Sequence, residues 1–233
     1  MIEERVSRDG AAVRKKAYHH GDLRNAIIAE ATARARVDGE KAIILREIAP
    51  ELGVSATAAY RHFTNRQQLV EEVSVKGFEA MADWVDVPPV AGAERDPGLA
   101  AYVDMRNAAT RIVEFTAAEP AWARMMIETF GRADTVMRPA ATVRAMLQTI
   151  VDRGIRAGTF RPDAVIATSR VFWVGIDGLC AHAMFRVIPM GDPDGRRTTS
   201  RAIGLCMTDL LTEEGLRLRE SAALPDGIVT KLP

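Results

Sequence analysis

Apolar residues in this chain recur at helical spacing and almost nowhere alternate, and no other feature restricts its possible folds as much. Leu23, Ala26 and Ile27, then Leu69 and Val73, then Val143, Leu147 and Ile150 lie three or four positions apart, which gathers each set on one helix face. Runs with the period of two that a half-buried strand needs are missing. Turn and cap signals divide the periodic stretches into pieces of helix length: Asp38-Gly39, Gly53, Thr64, Pro88-Pro89 through Pro97-Gly98, Glu119-Pro120, Gly131, Gly158 to Pro162, and Pro189 to Gly195. The expectation is an all-α protein of about nine helices, without internal repeats.

Several classes fall away at once. With 48% hydrophobic residues over 233 positions a sizeable core is available, and 6% aromatics make it an aliphatic one. Val171 to Phe185 is the longest mainly apolar stretch, but Asp177 and His182 interrupt it and it falls short of the roughly 20 residues of a membrane helix. Residues 1–21 carry Glu3, Glu4, Arg5, Arg8, Arg14, Lys15 and Lys16 and no apolar segment, unlike a secretory signal, so a cytoplasmic location is expected. Cys180 and Cys206 lack partners at metal or disulfide-framework spacing and read as small buried hydrophobes. No nucleophile elbow, phosphate-cradling loop or Cys/His pairing is visible, and His19-His20 with Asp22 lacks the spacing of a metal site. Catalytic residues, metals and cofactors are therefore not expected.

The formal net charge is zero, yet residues 1–66 hold 12 Lys/Arg against 9 Asp/Glu while the remainder holds 19 against 22. Arg5, Arg8, Arg14, Lys15, Lys16 and Arg24 sit in or just after an N-terminal arm. A solvated tail and an arm that meets a polyanion explain this equally well. Local spacing decides between them. Three helices are expected at roughly Asp22 to Val37, Leu45 to Leu52 and Ala56 to Phe63, the last two joined by Gly53-Val54-Ser55. Gly53 suits a left-handed helix end, Val54 docks into the small core and Ser55 caps the next helix. This is the helix-turn-helix pattern, whose second helix enters a DNA major groove.

Ala56 to Phe63 is small-sided at its start, with donors farther along. Thr57 and Arg61 share a face, with Tyr60 beside them. Arg61 is the candidate for bidentate contact to guanine, Tyr60 and His62 for phosphate or a thymine methyl, and Phe63 for the core. Thr64-Asn65-Arg66-Gln67 then reads as a capping box in which Thr64 caps and Gln67 reaches back, placing Arg66 in the first turn of a long helix to about Val85, a position suited to a phosphate.

Tyr18-His19-His20-Gly21-Asp22-Leu23-Arg24, Leu45 to Ala49, Leu52 to Ser55, Tyr60-Arg61-His62-Phe63 and Leu69 together resemble the N-terminal domain of TetR/AcrR transcriptional regulators over about residues 18–75. Glu119 to Met126, Gly158 to Asp163, and Trp173 with Asp177-Gly178 resemble, more loosely, a subgroup with a Trp-x-x-x-His-Gly signature. The resemblance implies a homodimer, joined through a four-helix bundle, that binds a palindromic double-stranded DNA operator and is released, as a repressor, by a small and largely apolar effector. By motif position Ser55, Thr57, Tyr60, Arg61, His62 and Arg66 correspond to operator contacts, supported by Tyr18 and Arg46. The chain departs from the pattern in three places. Ile44 stands where a capping Thr is usual, a loss of about 1 kcal/mol. Pro50 removes an N–H from the second helix at a cost of about 3 kcal/mol if interior, which calls for a kink or an irregular start. Asp177 replaces the signature His.

The implied organisation is a basic arm at 1–17, a helix-turn-helix domain at 18–66, an effector-binding and dimerisation domain at 67–215 and a tail at 216–233. Residues 163–185 are apolar nearly all round and so need cover on both sides, most simply from their own domain and a second subunit. Gly175, Gly178 and Ala181 form a small-residue stripe there, and the segment with Ile203, Cys206 and Leu210 supplies the second dimer helix. Met105, Trp122, Met126, Phe130, Met146, Phe172 and Trp173 are candidates for an adaptable effector pocket, although each taken alone suits the core better than a ligand contact. Asp177 reads as a buried acid needing a partner, either an effector group or an intraprotein Arg. The competing reading is a helical small-molecule-binding or scaffold protein whose DNA binding has degenerated.

Overall fold

Leu23, Ala26, Ile27, Ala31 and Ala35 fall on one side of the first helix and are buried there, which sets α1 (Leu23–Asp38) against the rest of the chain. The computed structural model describes residues 23–86, 88–222 and 224–232. Among them are α2 (Leu45–Glu51), α3 (Ala56–Tyr60), α4 (Arg66–Val85), α5 (Pro97–Ala118), α6 (Pro120–Thr129), α7 (Asp134–Arg156), α8 (Arg170–Met184), α9 (Pro193–Cys206) and α10 (Glu213–Ser221). These described residues contain no strands, only the isolated bridges Ala91 to Lys231 and Phe160 to Leu211. The fold is all-α, with ten α-helices among the described residues rather than about nine. The additional one is α10, which takes up part of the segment expected to be a tail.

Side-chain caps start most of the longer helices. Asp96 accepts from the Leu99 N–H ahead of Pro97, Ser169 from Phe172, Asp192 from Gly195 ahead of Pro193, and Thr212 from Gly215. The cap of α4 is one residue later than the sequence suggests. Asn65 accepts from the Gln68 N–H at 2.9 Å, and the Gln68 side chain accepts from the Thr64 N–H at 2.9 Å. The reciprocal logic of a capping box is kept, with Asn65 and Gln68 in place of Thr64 and Gln67.

α5 is buried on nearly every side and forms the axis of the C-terminal part, with α4, α7, α8 and α9 packed around it. The stretch after α10 also returns to it. Asn107 donates to the Val229 carbonyl at 2.7 Å and accepts from its N–H at 2.9 Å, while Val229 and Leu232 are buried, so residues 224–232 form a docked strap rather than a loose tail. Residues 163–169, expected to open the apolar helix, instead form a loop with a 3-10 turn at Ile166–Thr168, because Ser169 caps α8 only there.

Cys180 is buried on α8, and burial pushes its thiol up to about 12. The thiolate is the reactive form, so native protein at pH 8 is expected to leave Cys180 unmodified by iodoacetamide and to expose it on unfolding. Mass mapping of the alkylated residue checks this, and rapid native labelling of Cys180 would refute its placement.

Candidate nucleic-acid interface

Gly53 takes a φ of 74°, the left-handed conformation in which L side chains are strained, and so lets the chain turn sharply between α2 and α3. Val54 is half-buried against the core, and Ser55 caps α3 by accepting from the Ala58 N–H at 3.2 Å. Ala59 and Phe63 anchor this turn from inside at 0% exposure. Anchoring those two residues fixes which side of α3 faces outward.

That outward side carries Thr57, Tyr60 and Arg61, all exposed, with His62 half-buried at the edge. Tyr60 is 51% exposed, unusual for an aromatic ring with no stacking partner. α3 ends at Tyr60, shorter than expected, yet Arg61 keeps right-handed helical backbone, and His62 and Phe63 still bond to the Ala59 carbonyl. Thr57 and Arg61 consequently stay on one face. Their side chains form no hydrogen bond or ion pair with described residues, as a surface held for an outside partner requires.

Arg66 is different. Its Nε donates to the Ile43 carbonyl at 2.9 Å, Nη1 to Glu40 Oε1 at 2.6 Å, and Nη2 to the Glu40 carbonyl. The guanidinium is thus committed inside the protein and ties the α1–α2 connection to the start of α4, and we withdraw it as a phosphate contact. Arg24 is likewise engaged, pairing with Glu72 on α4 and lying 5.3 Å over the Phe63 ring. Sequence spacing hides both links, since the partners are far away in the chain.

Arg46 is exposed on α2 with no ion-pair partner among the described residues. Ile44 offers no capping bond, as expected, and the Ile44 carbonyl starts the helix by accepting from Glu47 and Ile48. Pro50 lies in the last turn of a helix that ends one residue later, on the exposed side. It therefore terminates α2 instead of kinking it, and Arg46 keeps a helical position. Tyr18 and the arm at 1–17 lie outside the described residues.

The reader is joined to the C-terminal part through α1, α4 and α6. Arg36 on α1 donates to Glu119 at 2.9 Å through Nε and stacks 5.8 Å over Trp122, whose indole N–H donates to the Val73 carbonyl of α4 at 3.1 Å. Of the proposed effector residues, Met105, Trp122, Met126 and Phe172 are fully packed in the core, while Phe130, Met146 and Trp173 are half-buried around them. The Arg144 guanidinium bridges two of the rings, 5.1 Å over Phe130 and 5.2 Å over Trp173, and the Trp173 indole donates to the Ile166 carbonyl at 2.7 Å. In this structure the cluster is closed, and the larger surface clefts lie elsewhere.

Asp177 corrects a sequence expectation, because it is exposed on α8 and not buried. Partial desolvation raises its carboxyl, opposed by the charge of Arg144. The dimer residues need correction too. Ile203 and Leu210 are buried within their own subunit, and Cys206 packs directly beneath Gly175, where a Cβ would collide with its sulfur. Ile203 and Leu210 are thus closed to a partner copy, while Gly175 and Cys206 cover each other and are only partly exposed. The residues that do point outward are Val171, Val174 and Phe185, spaced around the open Gly178 and half-buried Ala181, with Leu205 alongside on α9. Val174 is 73% and Leu205 68% exposed, an apolar stripe of the kind that marks an interaction surface.

Residues 27–73 match the model of the bacterial regulatory proteins of the tetR family. No curated protein is similar enough to count as a match. Among solved structures, a protein of unknown function from Rhodococcus sp. RHA1 is 24% identical, covering 84% of this chain and all of its own, with a TM-score of 0.66. SmeT, the repressor of the Stenotrophomonas maltophilia multidrug efflux pump SmeDEF, is 17% identical over 90% of this chain and 97% of its own, with a TM-score of 0.57. RolR, solved in complex with resorcinol, is 14% identical over 89% of this chain and 96% of its own, with a TM-score of 0.57. At these identities the likeness concerns the fold.

Proposed function

We propose, from an N-terminal segment that matches the tetR family of bacterial regulatory proteins, that this chain is a ligand-responsive transcriptional regulator that binds DNA through α2 and α3. The observation that carries the reading is the exposed set Thr57, Tyr60 and Arg61, without side-chain partners among the described residues, on a helix held by Ala59 and Phe63. Arg61 would contact a guanine edge, with Thr57, Tyr60 and His62 beside it and Ser55, Arg46 and Tyr18 on phosphates. Two copies related by a twofold axis through α8 and α9 would present two such helices to a palindromic operator, roughly 34 Å apart. The regulator is a cytoplasmic repressor in this reading, and none of the described helices is long and apolar enough to cross a membrane. Placement among regulators with the Trp-x-x-x-His-Gly signature rests on sequence resemblance alone.

For the effector, the closed cluster of Trp122, Met126, Phe130, Met146, Phe172 and Trp173, with Met105 behind it, would open around a small apolar molecule, the SmeT and RolR precedents being a repressor and a ligand complex of the same fold. Trp122 touches both Arg36 and the α4 backbone, so its displacement would move the reader directly.

Selection from random double-stranded DNA with purified protein tests this reading, followed by binding of the recovered site at two salt concentrations. An inverted repeat bound with a steep salt dependence is expected, because several phosphates are neutralised. Arg61→Ala is expected to weaken that binding by about 1–3 kcal/mol while leaving the helical content unchanged. Recovery of no sequence would favour the scaffold reading, and unchanged affinity would remove Arg61 from the interface.

A further inference from the structure

Arg106, in the middle of α5, is only 5% exposed yet forms no ion pair among the described residues. Its partners are all neutral: Nη1 donates to Ser200 Oγ at 3.5 Å, and Nη2 donates to the carbonyls of Pro225 at 3.1 Å and Gly227 at 3.3 Å. Nε is buried with no acceptor. Burying a charge is costly unless an opposite charge and full hydrogen bonding compensate it, and neither condition is met here. Burial lowers the guanidinium's pKa, and Asp226 opposes that only through space.

Arg106 lines an open cleft between α5, α9, α10 and the C-terminal strap. Arg201 and Arg219 stand on its rim with Glu220 and Asp226, so arginines outnumber acids. Arg219 is occupied by Thr208 and Glu220, at 2.8 and 3.3 Å. Arg201 is exposed and has no ion-pair partner among the described residues. Tyr102 also lines the cleft, its hydroxyl kept protonated by burial and so able to donate. Ala222 and Leu224 supply apolar wall, while Leu205 at the far edge belongs to the outward stripe of α8 and α9.

We infer that this cleft binds a small amphiphilic organic carboxylate, its head group between Arg106 and Arg201 and its apolar body along Ala222 and Leu224. A planar carboxylate matches the guanidinium fork and provides the missing counter-charge. That apolar wall suits an aryl or alkyl chain better than an inorganic anion. The site is separate from the aromatic cluster beneath α4 and does not depend on DNA binding.

The full-length protein is titrated with benzoate and octanoate, with benzamide as the uncharged isostere, using ligand-observed NMR and calorimetry without DNA. Saturable binding of a carboxylate is expected, at least about tenfold tighter than benzamide, because charge-assisted hydrogen bonds are roughly twice as strong as neutral ones. Arg106→Gln is expected to abolish it. Since that change also loosens the strap, Arg201→Ala on the exposed rim is the second variant, expected to weaken binding about tenfold. The inference fails if neither carboxylate saturates, or if benzamide binds as tightly. It also fails if Arg201→Ala leaves carboxylate binding untouched while weakening subunit association, which would assign the rim to a second copy. Operator binding enters none of these readouts, so loss of the regulator reading leaves the result interpretable.

Discussion

Replacing Phe63 by Ala is expected to lower stability by about 3–5 kcal/mol, the usual cost of emptying an aromatic-sized space in a core. Phe63 is 0% exposed and sits where α1, α3 and α4 converge, with Ile27, Ile48, Ala59 and Leu69 also buried in the same core. The loss extends beyond volume. Arg24 lies over the Phe63 ring while pairing with Glu72 on α4, so removing the ring also takes one of two contacts from the cation that links α1 to α4. The reader is expected to unfold before the α5-centred part. Urea melts followed by circular dichroism, with limited proteolysis to locate the first cleavage, check both points. A loss below about 1 kcal/mol would mean that Phe63 is not the keystone of the helix-turn-helix core.

Val174→Asp is expected to have an effect of similar size on association and little on folding. Val174 is 73% exposed in the single chain, so a carboxylate there remains solvated unless a second copy covers it. In a twofold contact each substitution appears twice, and an uncompensated buried charge costs about 3–5 kcal/mol. Sedimentation should therefore show the wild type as a dimer and the variant as a folded monomer, which would also bind a palindromic operator far more weakly. If the variant sediments like the wild type, the stripe of Val171, Val174, Phe185 and Leu205 is not the subunit contact. A monomeric wild type would overturn the dimer outright.

The residues on that stripe illustrate why the sequence singles out α8 and α9 for their apolar character without saying which of their faces is left exposed. Gly175 and Gly178 look equivalent as letters, but Gly175 is closed by Cys206 and Gly178 is open. On α9, the turn of the helix buries Ile203 at 0% and leaves Leu205, two positions on, 68% exposed. A helix apolar on most of its circumference contains no mark of which side meets its own domain. Asp177 was misjudged for the same reason.

Around the reader, legibility was higher because the determining interactions are short. The left-handed Gly53, the Ser55 cap and the alternation of buried Ala59 and Phe63 with exposed Thr57, Tyr60 and Arg61 all operate within about one turn of chain, which spacing encodes directly. The all-helical class follows from the same local rules of periodicity and capping, as do the starts of α2, α3 and α4 to within about a residue, whereas α3 stops at Tyr60 instead of Phe63 and α8 begins at Arg170 instead of near residue 163. Tertiary structure alone decided which charges remain free. Arg61 and Arg66 are five positions apart and chemically alike, but Arg66 finds Glu40 and the Ile43 carbonyl across the fold while Arg61 finds no partner among the described residues. Arg106 is stranded in the core by the returning strap at Pro225 and Gly227, more than a hundred residues away in sequence. Side-chain pairing over such separations is set by how the helices pack together, and no local pattern along the chain carries that information.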